Sequence, residues 1–407
     1  MSEWKNVKVE DILLVPSRNG LTKPSAIRGK GVKMIAMGEL FAHPIIRDIE
    51  TDRVPVTEKE LQSSNIEVDD LLFARQSLTL EGAGKCSIIK EVKEPTVFES
   101  HLIRLRINKK LADSWFVYYY FNSYKGKHSI QNIVNQVAAA GIKGSDLVKL
   151  VIPLPPLDIQ KGISSTLFDF DDKIAVNRRI CENLEAQAQA LFKHWFIDFA
   201  PFKNGKFVES ELGMIPEGWR VGKFTDIFDL GSGGTPKTSE KLYWEDGSIP
   251  FFSPKDVNGV YCFDTEKHIT EKGLNNCSSS LYSKNTIFIT CRGTVGKIAM
   301  AAVPMAMNQS NYAILSNKGY SQYFAYLMTV SIVKKLKFKA NGAVFDAITS
   351  KDFKEQIIIP NLNVVNRFDS IIQPIFDNIL NIGFENLRLS TLRDALLPKL
   401  MSGQIKV

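Results

Sequence analysis

The chain begins with Trp4-Lys5-Asn6-Val7-Lys8-Val9-Glu10-Asp11-Ile12 and resumes about 215 residues later with Trp219-Arg220-Val221-Gly222-Lys223-Phe224-Thr225-Asp226-Ile227. Three further matches follow at similar offsets: Leu72-Phe73-Ala74 with Ile287-Phe288-Ile289, Gly84-Lys85 with Gly296-Lys297 a few residues out of step, and Asp172-Lys173-Ile174 with Asp377-Asn378-Ile379. A repeat this long indicates duplicated domains, because solenoid repeats recur every ~20–50 residues. The sequence therefore predicts two similar domains.

A long amphipathic helix is predicted after each domain, beyond Ile152-Pro153-Leu154-Pro155-Pro156 in the first copy and Ile359-Pro360 in the second. Along each helix, mainly apolar residues alternate at spacings of four and three, which is the pattern of a coiled-coil seam. The first seam consists of Ile163, Leu167, Phe170, Ile174, Asn177, Cys181, Leu184, Ala188, Leu191 and Trp195. Adding 205 to each number gives the second seam, which consists of Phe368, Ile372, Ile375, Ile379, Ile382, Asn386, Leu389, Arg393, Leu396 and Leu400.

The duplicated seams predict that the two helices pair with each other. Each seam carries one asparagine, Asn177 or Asn386, and a polar residue at a seam position lowers stability but can fix register and partner. Antiparallel pairing would hold the two domains at opposite ends of a rod of roughly 48 Å, at 1.5 Å per residue. The alternative is that each helix packs on its own domain.

The predicted fold class is α+β, with two similar mixed α/β globular domains, each followed by a long helix, and with the helices paired as an antiparallel coiled coil. The predicted boundaries are 1–152 for the first domain, 153–200 for the central helix, 201–359 for the second domain and 360–407 for the C-terminal helix. Short apolar or alternating runs predict strands at 32–37, 70–74, 102–107, 249–252, 286–290 and 312–315. Shorter helices are predicted at 114–123 and 321–338.

The composition is that of a protein made of globular domains. The chain has 407 residues, is 44% hydrophobic and carries a formal net charge of +7, as expected for two globular domains that could bind a polyanion. Its five cysteines are scattered, which argues against a zinc site or a disulfide framework and fits a reducing compartment. The amino terminus is polar and no apolar stretch is long enough to span a bilayer, so we predict a cytoplasmic protein without membrane contact.

Three motifs suggest chemistry only weakly. The glycine-rich segment 229–236 could approach a nucleotide or S-adenosylmethionine, but neither a Walker lysine nor an amino-methylation motif accompanies it, so a tight turn is favoured. Asp70 with Glu91 and Lys93 could hold magnesium in a nuclease, yet the pattern is short and the second copy lacks it. The aromatic run 115–121 could stack on bases, but its counterpart 323–327 lies in a predicted helix, which favours core packing.

Cationic side chains on predicted loops are the better candidates for contacting DNA. Arginine and lysine hold phosphates and the edges of guanine. The candidates are Arg75, Lys85, Lys237, Lys255, Arg292 and Lys297. A single cation of this kind is more often a solvated surface charge. The five histidines show no paired metal-ligand spacing.

Several stretches together resemble the specificity subunits of type I restriction-modification systems. Gly233-Gly234-Thr235-Pro236-Lys237, Gly247-Ser248-Ile249-Pro250-Phe251 and Arg292-Gly293-Thr294-Val295-Gly296-Lys297 resemble a target-recognition domain of that family. The segment Ile152-Pro153-Leu154-Pro155-Pro156-Leu157-Asp158-Ile159-Gln160 resembles its central spacer, and Leu396-Leu397-Pro398-Lys399-Leu400-Met401-Ser402-Gly403-Gln404-Ile405 resembles its carboxyl terminus. The first copy departs from the pattern, with Val15-Pro16-Ser17-Arg18-Asn19-Gly20 in place of the Gly-Gly-Thr-Pro turn.

The resemblance implies a non-catalytic subunit that recognises a split site in double-stranded DNA. Each domain would recognise one half-site, and the paired helices would set the separation and dock two methyltransferase subunits. The partners would bring S-adenosylmethionine, ATP and magnesium, so no cofactor is expected on this chain. Two other hypotheses stay open at this point, a free-standing methyltransferase using the segment 229–234 and a coiled-coil scaffold without a role on DNA.

Overall fold

The computed structural model of the chain describes residues 4–136, 140–316, 318–339 and 347–405. The described residues form two compact units. The first unit comprises residues 1–173 and 390–407, and the second comprises residues 174–389. Each unit therefore contains one globular domain together with a part of each long helix.

The first unit is a mixed α/β structure. Its strands are β1 Lys5–Lys8, β2 Leu13–Asn19, β3 Val32–Ile35, β4 Ile45–Ile46, β5 Arg53–Val54, β6 Leu71–Ala74, β7 Gln76–Ser77, β8 Cys86–Ile89, β9 Thr96–Phe98, β10 Leu102–Ile107, β11 Asn135–Gln136, β12 Ala140–Gly141 and β13 Val151–Leu154. Its helices are α1 Met37–Ala42, α2 Glu58–Ser64, α3 Ser114–Asn122, α4 Tyr124–Gln131 and α5 Gly144–Leu147, followed by the start of α6 Leu157–Phe196.

The second unit repeats the main strands of the first in the same order, after an additional two-stranded hairpin. Its strands are β14 Phe207–Ser210, β15 Gly213–Pro216, β16 Arg220–Lys223, β17 Phe228–Ser232, β18 Ile249–Phe252, β19 Tyr261–Cys262, β20 His268–Ile269, β21 Ile287–Thr290, β22 Ile298–Ala301, β23 Ala306–Met307, β24 Asn311–Ser316 and β25 Gln356–Ile359. Its helices are α7 Glu271–Asn275 and α8 Gln322–Lys339, followed by α9 Leu362–Met401. The strands and the two shorter helices predicted from the sequence are confirmed, with ends that differ by no more than two residues.

The two units share one sheet topology, which confirms the duplication. A five-stranded sheet has the order β2-β10-β6-β8-β4 in the first unit and β17-β24-β21-β22-β19 in the second. A three-stranded sheet, β5-β3-β9 or β20-β18-β23, and a two-stranded ribbon, β1-β13 or β16-β25, accompany it. In the ribbons Lys5 pairs with Leu154 and Arg220 with Ile359, so the Trp4 and Trp219 segments correspond as predicted.

The match of Leu72-Phe73-Ala74 with Ile287-Phe288-Ile289 is wrong by one residue. The Ala74 carbonyl accepts the amide of Gly84, and the Thr290 carbonyl accepts the amide of Gly296, so Ala74 corresponds to Thr290. Phe73 packs in the core beneath the helices, as Ile289 does, whereas Leu72 packs on the other face of the sheet. A shift of one residue moves a side chain to the opposite face of a strand, so only the corrected register is consistent with the packing.

The helices α6 and α9 each span 40 residues, and their ends have recognisable causes. The Asn361 side chain accepts the amide of Val364 and so caps the start of α9. The left-handed Gly403, at φ 72°, follows the end of α9, and Phe199, at φ 51°, follows the end of α6. The predicted segments 153–200 and 360–407 thus contain these helices, although residues 406–407 lie outside the described chain.

The two helices pair antiparallel, as predicted. Within the second unit, Phe368 packs on Trp195 and Phe196, with ring centroids 5.6 and 4.8 Å apart, and Asn386 accepts a 2.9 Å hydrogen bond from Asn177. Within the first unit, Arg393 pairs with Asp171. Residues near the end of α6 therefore contact residues near the start of α9, and residues near the start of α6 contact residues near the end of α9.

The predicted seam residues are all buried or half-buried in both helices. These are Leu167, Phe170, Ile174, Asn177, Leu184, Leu191, Ile372, Ile375, Ile379, Ile382, Asn386, Leu389 and Leu396. The alternative hypothesis is also correct in part, because residues off the seam pack on the domains. In the second unit these include Phe192, Phe196 and Phe376, each at most 5% exposed.

The carboxyl end of α9 completes the core of the first unit. Leu400 and Met401 are 1% and 2% exposed and pack in one cluster with Phe116, Ile163 and Leu167. None of the helices in the described ranges is long and apolar enough to cross a bilayer.

Candidate nucleic-acid interface

One edge of each five-stranded sheet gathers three loops, and we call it the loop edge. In the second unit β17, β24, β21 and β22 are antiparallel neighbours. The end of β17, the start of β24, the end of β21 and the start of β22 therefore meet at one edge. Three connections begin or end there, namely residues 233–237, 291–297 and 308–310. The first unit has its own loop edge, formed by residues 20–21, 75–85 and 99–101.

Main-chain hydrogen bonds fix the equivalence of the two loop edges. The amide of Arg75 donates to the His101 carbonyl at 2.7 Å, and the amide of Cys291 donates to the Ser310 carbonyl at 2.8 Å. The loop 75–85 has eleven residues where the loop 291–297 has seven. This difference explains why Gly84-Lys85 and Gly296-Lys297 correspond but stand out of step in the sequence.

A glycine is required at the same place in both loop edges. A Cβ atom on Gly233 would lie 2.1 Å from the Asn308 carbonyl oxygen, and one on Gly20 would lie 2.0 Å from that of Phe98. Both distances are far below van der Waals contact, so only glycine allows this approach of the main chain. The first copy lacks the Gly-Gly-Thr-Pro turn but keeps its essential glycine.

Three of the predicted DNA contacts, Lys237, Arg292 and Lys297, lie on the loop edge of the second unit. Arg292 and Lys297 are exposed on the loop 291–297, whose Gly293 and Gly296 have φ of 79° and 75°. The Thr290 hydroxyl accepts the amide of Lys297 at 2.9 Å and donates to the Thr294 carbonyl, so the loop is held at its base. The two cations are thus presented to solvent by an ordered turn.

Lys237 and Lys255 are also exposed. Lys237 ends the glycine-rich turn, and its carbonyl accepts the Trp244 indole N–H at 3.1 Å. Lys255 follows β18, which lies parallel to β23, and its ammonium is 4.0 Å from Glu266. Lys255 therefore projects from the three-stranded sheet and not from the loop edge itself.

The two candidates of the first unit differ from each other. Arg75 is half-buried, and its main chain links His101 and Ile142 through hydrogen bonds of 2.7 and 2.9 Å. Lys85 donates from its ammonium to the Phe41 carbonyl at 2.9 Å, and burial, aided by Lys127, lowers its pKa. Lys85 therefore contributes to the packing of the domain, while contact with DNA at each of the six cations stays a prediction.

A cavity of about 270 Å³ opens on the loop edge of the second unit. It is lined by Ser232, Gly233, Cys291, Arg292, Gln309, Asn311, Tyr312, Ala347, Ile348 and Thr349. Arg292, Gln309 and Thr349 are exposed, so the cavity reaches the surface. Burial raises the pKa of the Cys291 thiol to about 12, which keeps it neutral and unreactive.

Sequence reasoning missed the polar residues of this cavity. Gln309 accepts a hydrogen bond from the Thr235 hydroxyl, and Asn311 is 2% exposed. The signal was the run Asn308-Gln309-Ser310-Asn311, four amide or hydroxyl side chains at the start of the strand β24. In the first unit the exposed Arg18 was also missed, although it lies in the stretch that replaces the glycine-rich turn.

The glycine-rich segment is packed against the protein. A Cβ atom on Gly231 would lie 2.6 Å from the Tyr282 hydroxyl, and one on Gly234 would lie 2.1 Å from the Ser278 hydroxyl. The Tyr282 hydroxyl also donates to the Ser232 carbonyl at 2.7 Å. The main chain at Gly231 and Gly234 is therefore closely packed against the protein, whereas Ser232 and Gly233 line the cavity.

The remaining motifs also have structural explanations. Both carboxylate oxygens of Asp70 bind the Arg106 guanidinium, at 2.7 and 2.8 Å, and burial raises the pKa of Asp70 although Arg106 opposes the shift. No group of three or more metal-ligating side chains occurs within the described ranges. In the aromatic run, residues 116–121 are at most 5% exposed, which confirms core packing.

Comparison with known proteins identifies similar sequences along the chain. Residues 1–186 and 216–392 match the family model described as "Type I restriction modification DNA specificity domain". The type I restriction enzyme MjaIX specificity subunit of Methanocaldococcus jannaschii is 29% identical over 100% of this chain and 94% of its own length. The HindI specificity subunit of Haemophilus influenzae is 28% identical over 63% of this chain and 69% of its own.

A solved structure has a similar fold. The S subunit of a type I restriction-modification system from M. genitalium superposes with a TM-score of 0.54 at 16% sequence identity. The match covers 98% of this chain and 96% of that protein.

Proposed function

The chain belongs to the type I restriction-modification DNA specificity family, and we propose that each of its two domains recognises one half of a split DNA site. The chain is thus a sequence-specific DNA-recognition subunit. The observation that carries the proposal is the pair of loop edges. Equivalent sheets present them, yet their loops differ in length and in side chains, as expected of two domains that recognise different bases.

The charge at the loop edges supports contact with DNA. Arg292 and Lys297 are exposed on the loop edge of the second unit, and Arg18 is exposed near the end of β2, beside the loop edge of the first. Cations of this kind neutralise phosphates and release counterions, so affinity should fall steeply as salt rises. A coiled-coil scaffold without a role on DNA would show no such dependence.

The paired helices support a role in setting the spacing of the half-sites. Each helix has 40 residues, or roughly 60 Å at 1.5 Å per residue, and contributes to both units. Half-sites contacted from one face of the duplex lie about 34–36 Å apart, or a multiple of that distance. The helices are long enough to connect two domains at such a separation.

The chain itself is proposed to be non-catalytic. We infer that methyltransferase subunits, two in number, dock on it and bring S-adenosylmethionine, and that motor-nuclease subunits bring ATP and magnesium. The close packing at Gly231 and Gly234 supports this division of labour. We further propose that the complex acts in the cytoplasm.

Methylome sequencing tests the proposal directly. Cells that express the chain with its methyltransferase should show one bipartite adenine-methylated motif. Exchanging residues 1–152 for the corresponding domain of a relative should change one half of the motif only. A change in both halves would refute the assignment of one half-site to each domain.

The role of the helices has its own test. One heptad inserted in each helix beside the Asn177–Asn386 pair would lengthen both by roughly 10 Å at 1.5 Å per residue. The spacer of the methylated motif should then change while both half-sites stay the same. A single insertion in α6 is the control, because it disrupts the pairing and should abolish methylation. An unchanged spacer in the double insertion would show that the helices do not set it.

A further inference from the structure

Asn311, the first residue of β24, has a buried carbonyl oxygen without a hydrogen-bond partner. The residue is 2% exposed, and its Oδ1 is buried and unpaired in the structure. The orientation of the amide is fixed by its neighbours. The amide of Ser310 can only donate, so the atom of Asn308 at 2.9 Å from it is an oxygen. That oxygen also lies 2.7 Å from Asn311, whose facing atom must therefore be the donor Nδ2.

A buried acceptor without a partner is unfavourable. Leaving such a group unsatisfied costs about 1–3 kcal/mol, and more than about 90% of buried polar groups have a partner. Main-chain packing at this position does not require an amide, because the equivalent position in the first unit is Leu102. The side chain of Asn311 thus lowers the stability of the fold, which indicates that a ligand supplies the missing donor.

The surroundings of Asn311 indicate what kind of ligand. Asn311 lines the cavity of about 270 Å³ that reaches the surface beside the exposed Arg292 and Gln309. The cavity lies on the loop edge, where the proposed function places DNA. A base edge is the group that would bring a neutral donor there, since a phosphate offers only acceptors.

We propose that Asn311 recognises the amino group of an adenine in the second half-site. Its Oδ1 would accept from the adenine N6 amino group. Nδ2 has two protons and uses one for Asn308, so the other can donate to N7, which lies beside N6 in the major groove. Cytosine offers an amino group without the adjacent acceptor, which makes adenine the better fit. This inference rests on the proposed function and adds a specificity-determining residue to it.

Leu102, the residue of the first unit that corresponds to Asn311, has no amide and cannot make the same contact. The first unit has a leucine at the equivalent place, so this contact belongs to the second half-site alone. Substitution of Asn311 should leave recognition by the first unit unchanged.

The test measures DNA affinity of the full chain, as wild type and as Asn311→Leu, assembled with its methyltransferase subunits. The duplexes carry the motif identified by methylome sequencing, in unmethylated form. Each adenine of the second half-site is replaced in turn by purine, which lacks the amino group. Cytosine is replaced by pyrimidin-2-one and guanine by inosine in parallel. Thr286→Val is the matched control, because Thr286 Oγ1 is also buried and unpaired but lies before β21, away from the loop edge.

Loss of one adenine amino group should weaken wild-type binding by about ten- to hundredfold, the range of one bidentate base contact. Asn311→Leu should show no such loss at that position, while Thr286→Val should behave like the wild type. Thermal stability of Asn311→Leu should change little, because removal of the unpaired buried acceptor offsets loss of the hydrogen bond to Asn308. The proposal would be overturned if an adenine replacement weakened binding equally in the wild type and in Asn311→Leu. It would also be overturned if wild-type affinity fell only on replacement of cytosine or guanine, or at no base. Failure of the wild type to bind any duplex would instead refute the proposed function.

Discussion

The hydrogen bond between Asn177 and Asn386 predicts a measurable coupling between the two long helices. Asn177 is 1% exposed and donates to Asn386 Oδ1 at 2.9 Å and to Glu385 Oε2 at 2.8 Å. Asn177→Ala leaves the Asn386 carbonyl without this donor in the seam, which costs about 1–2 kcal/mol. For a unit of about 200 residues, 1 kcal/mol lowers Tm by roughly 2–4 °C. The second unit should therefore melt roughly 2–8 °C lower.

A double-mutant cycle separates the hydrogen bond from the loss of each side chain. Asn177→Ala, Asn386→Ala and the double variant are compared by calorimetry, with the transition of the second unit assigned by hydrogen exchange. The double variant should be less destabilised than the sum of the single variants, by about 0.5–1.5 kcal/mol. Asn183→Ala, at an exposed position of α6, is the control and should change stability by no more than about 0.5 kcal/mol. Additive effects at Asn177 and Asn386 would refute the reasoning.

Three further outcomes are expected. Arg292→Gln should weaken DNA binding and reduce the slope of log affinity against log salt concentration by about one. Lys85→Met removes a hydrogen-bond donor to the Phe41 carbonyl, so it should lower the stability of the first unit and leave that slope unchanged. A changed slope in Lys85→Met would contradict this. Leu400→Ala should destabilise the first unit by about 2–5 kcal/mol in denaturation followed by limited proteolysis, with the 52% exposed Leu392→Ala as control. Hydrogen bonds from Arg53 and then Lys33 lower the pKa of Glu94, so the carboxylate stabilises the first unit above about pH 4.5 and this stabilisation is lost as pH falls through the lowered pKa; Glu94→Gln should therefore lower Tm at pH 7, and a difference that persists at pH 2 would contradict the assignment.

The elements of the fold were predictable where one local signal dominates. The strand at 102–107 was predicted with the bounds that the structure has, because an apolar run is interrupted only by arginines and ends at a polar turn. The seam was predictable because its spacing is set by the helix period. The register of 72–74 was not, since Leu71–Ala74 is buried on both faces and lacks the alternation that distinguishes them.

The candidate site was less predictable because it depends on contacts distant in sequence. The sequence shows Lys85 only as a cation on a loop, whereas its ammonium donates to the carbonyl of Phe41, 44 residues away. The unpaired oxygen of Asn311 follows from the hydrogen bonds of Asn308 and Ser310 and from burial that the sequence cannot supply. Phe192 and Phe376 were missed for the same reason, because they lie off the seam and bury against the second domain.

The position of Leu400 and Met401 in the core of the first unit has a consequence for synthesis of the protein. The globular part of the first unit is synthesised early, but that unit gains the core residues Leu400 and Met401 only after residues 174–389 have been synthesised. At roughly 5–20 residues per second, the interval between residues 173 and 400 lasts roughly 10–45 s. Residues 174–389 are complete before then, so the second unit can finish folding before the first. Until α9 is synthesised, the apolar surface around Phe116 and Leu167 stays exposed in the nascent chain, where a chaperone can bind it.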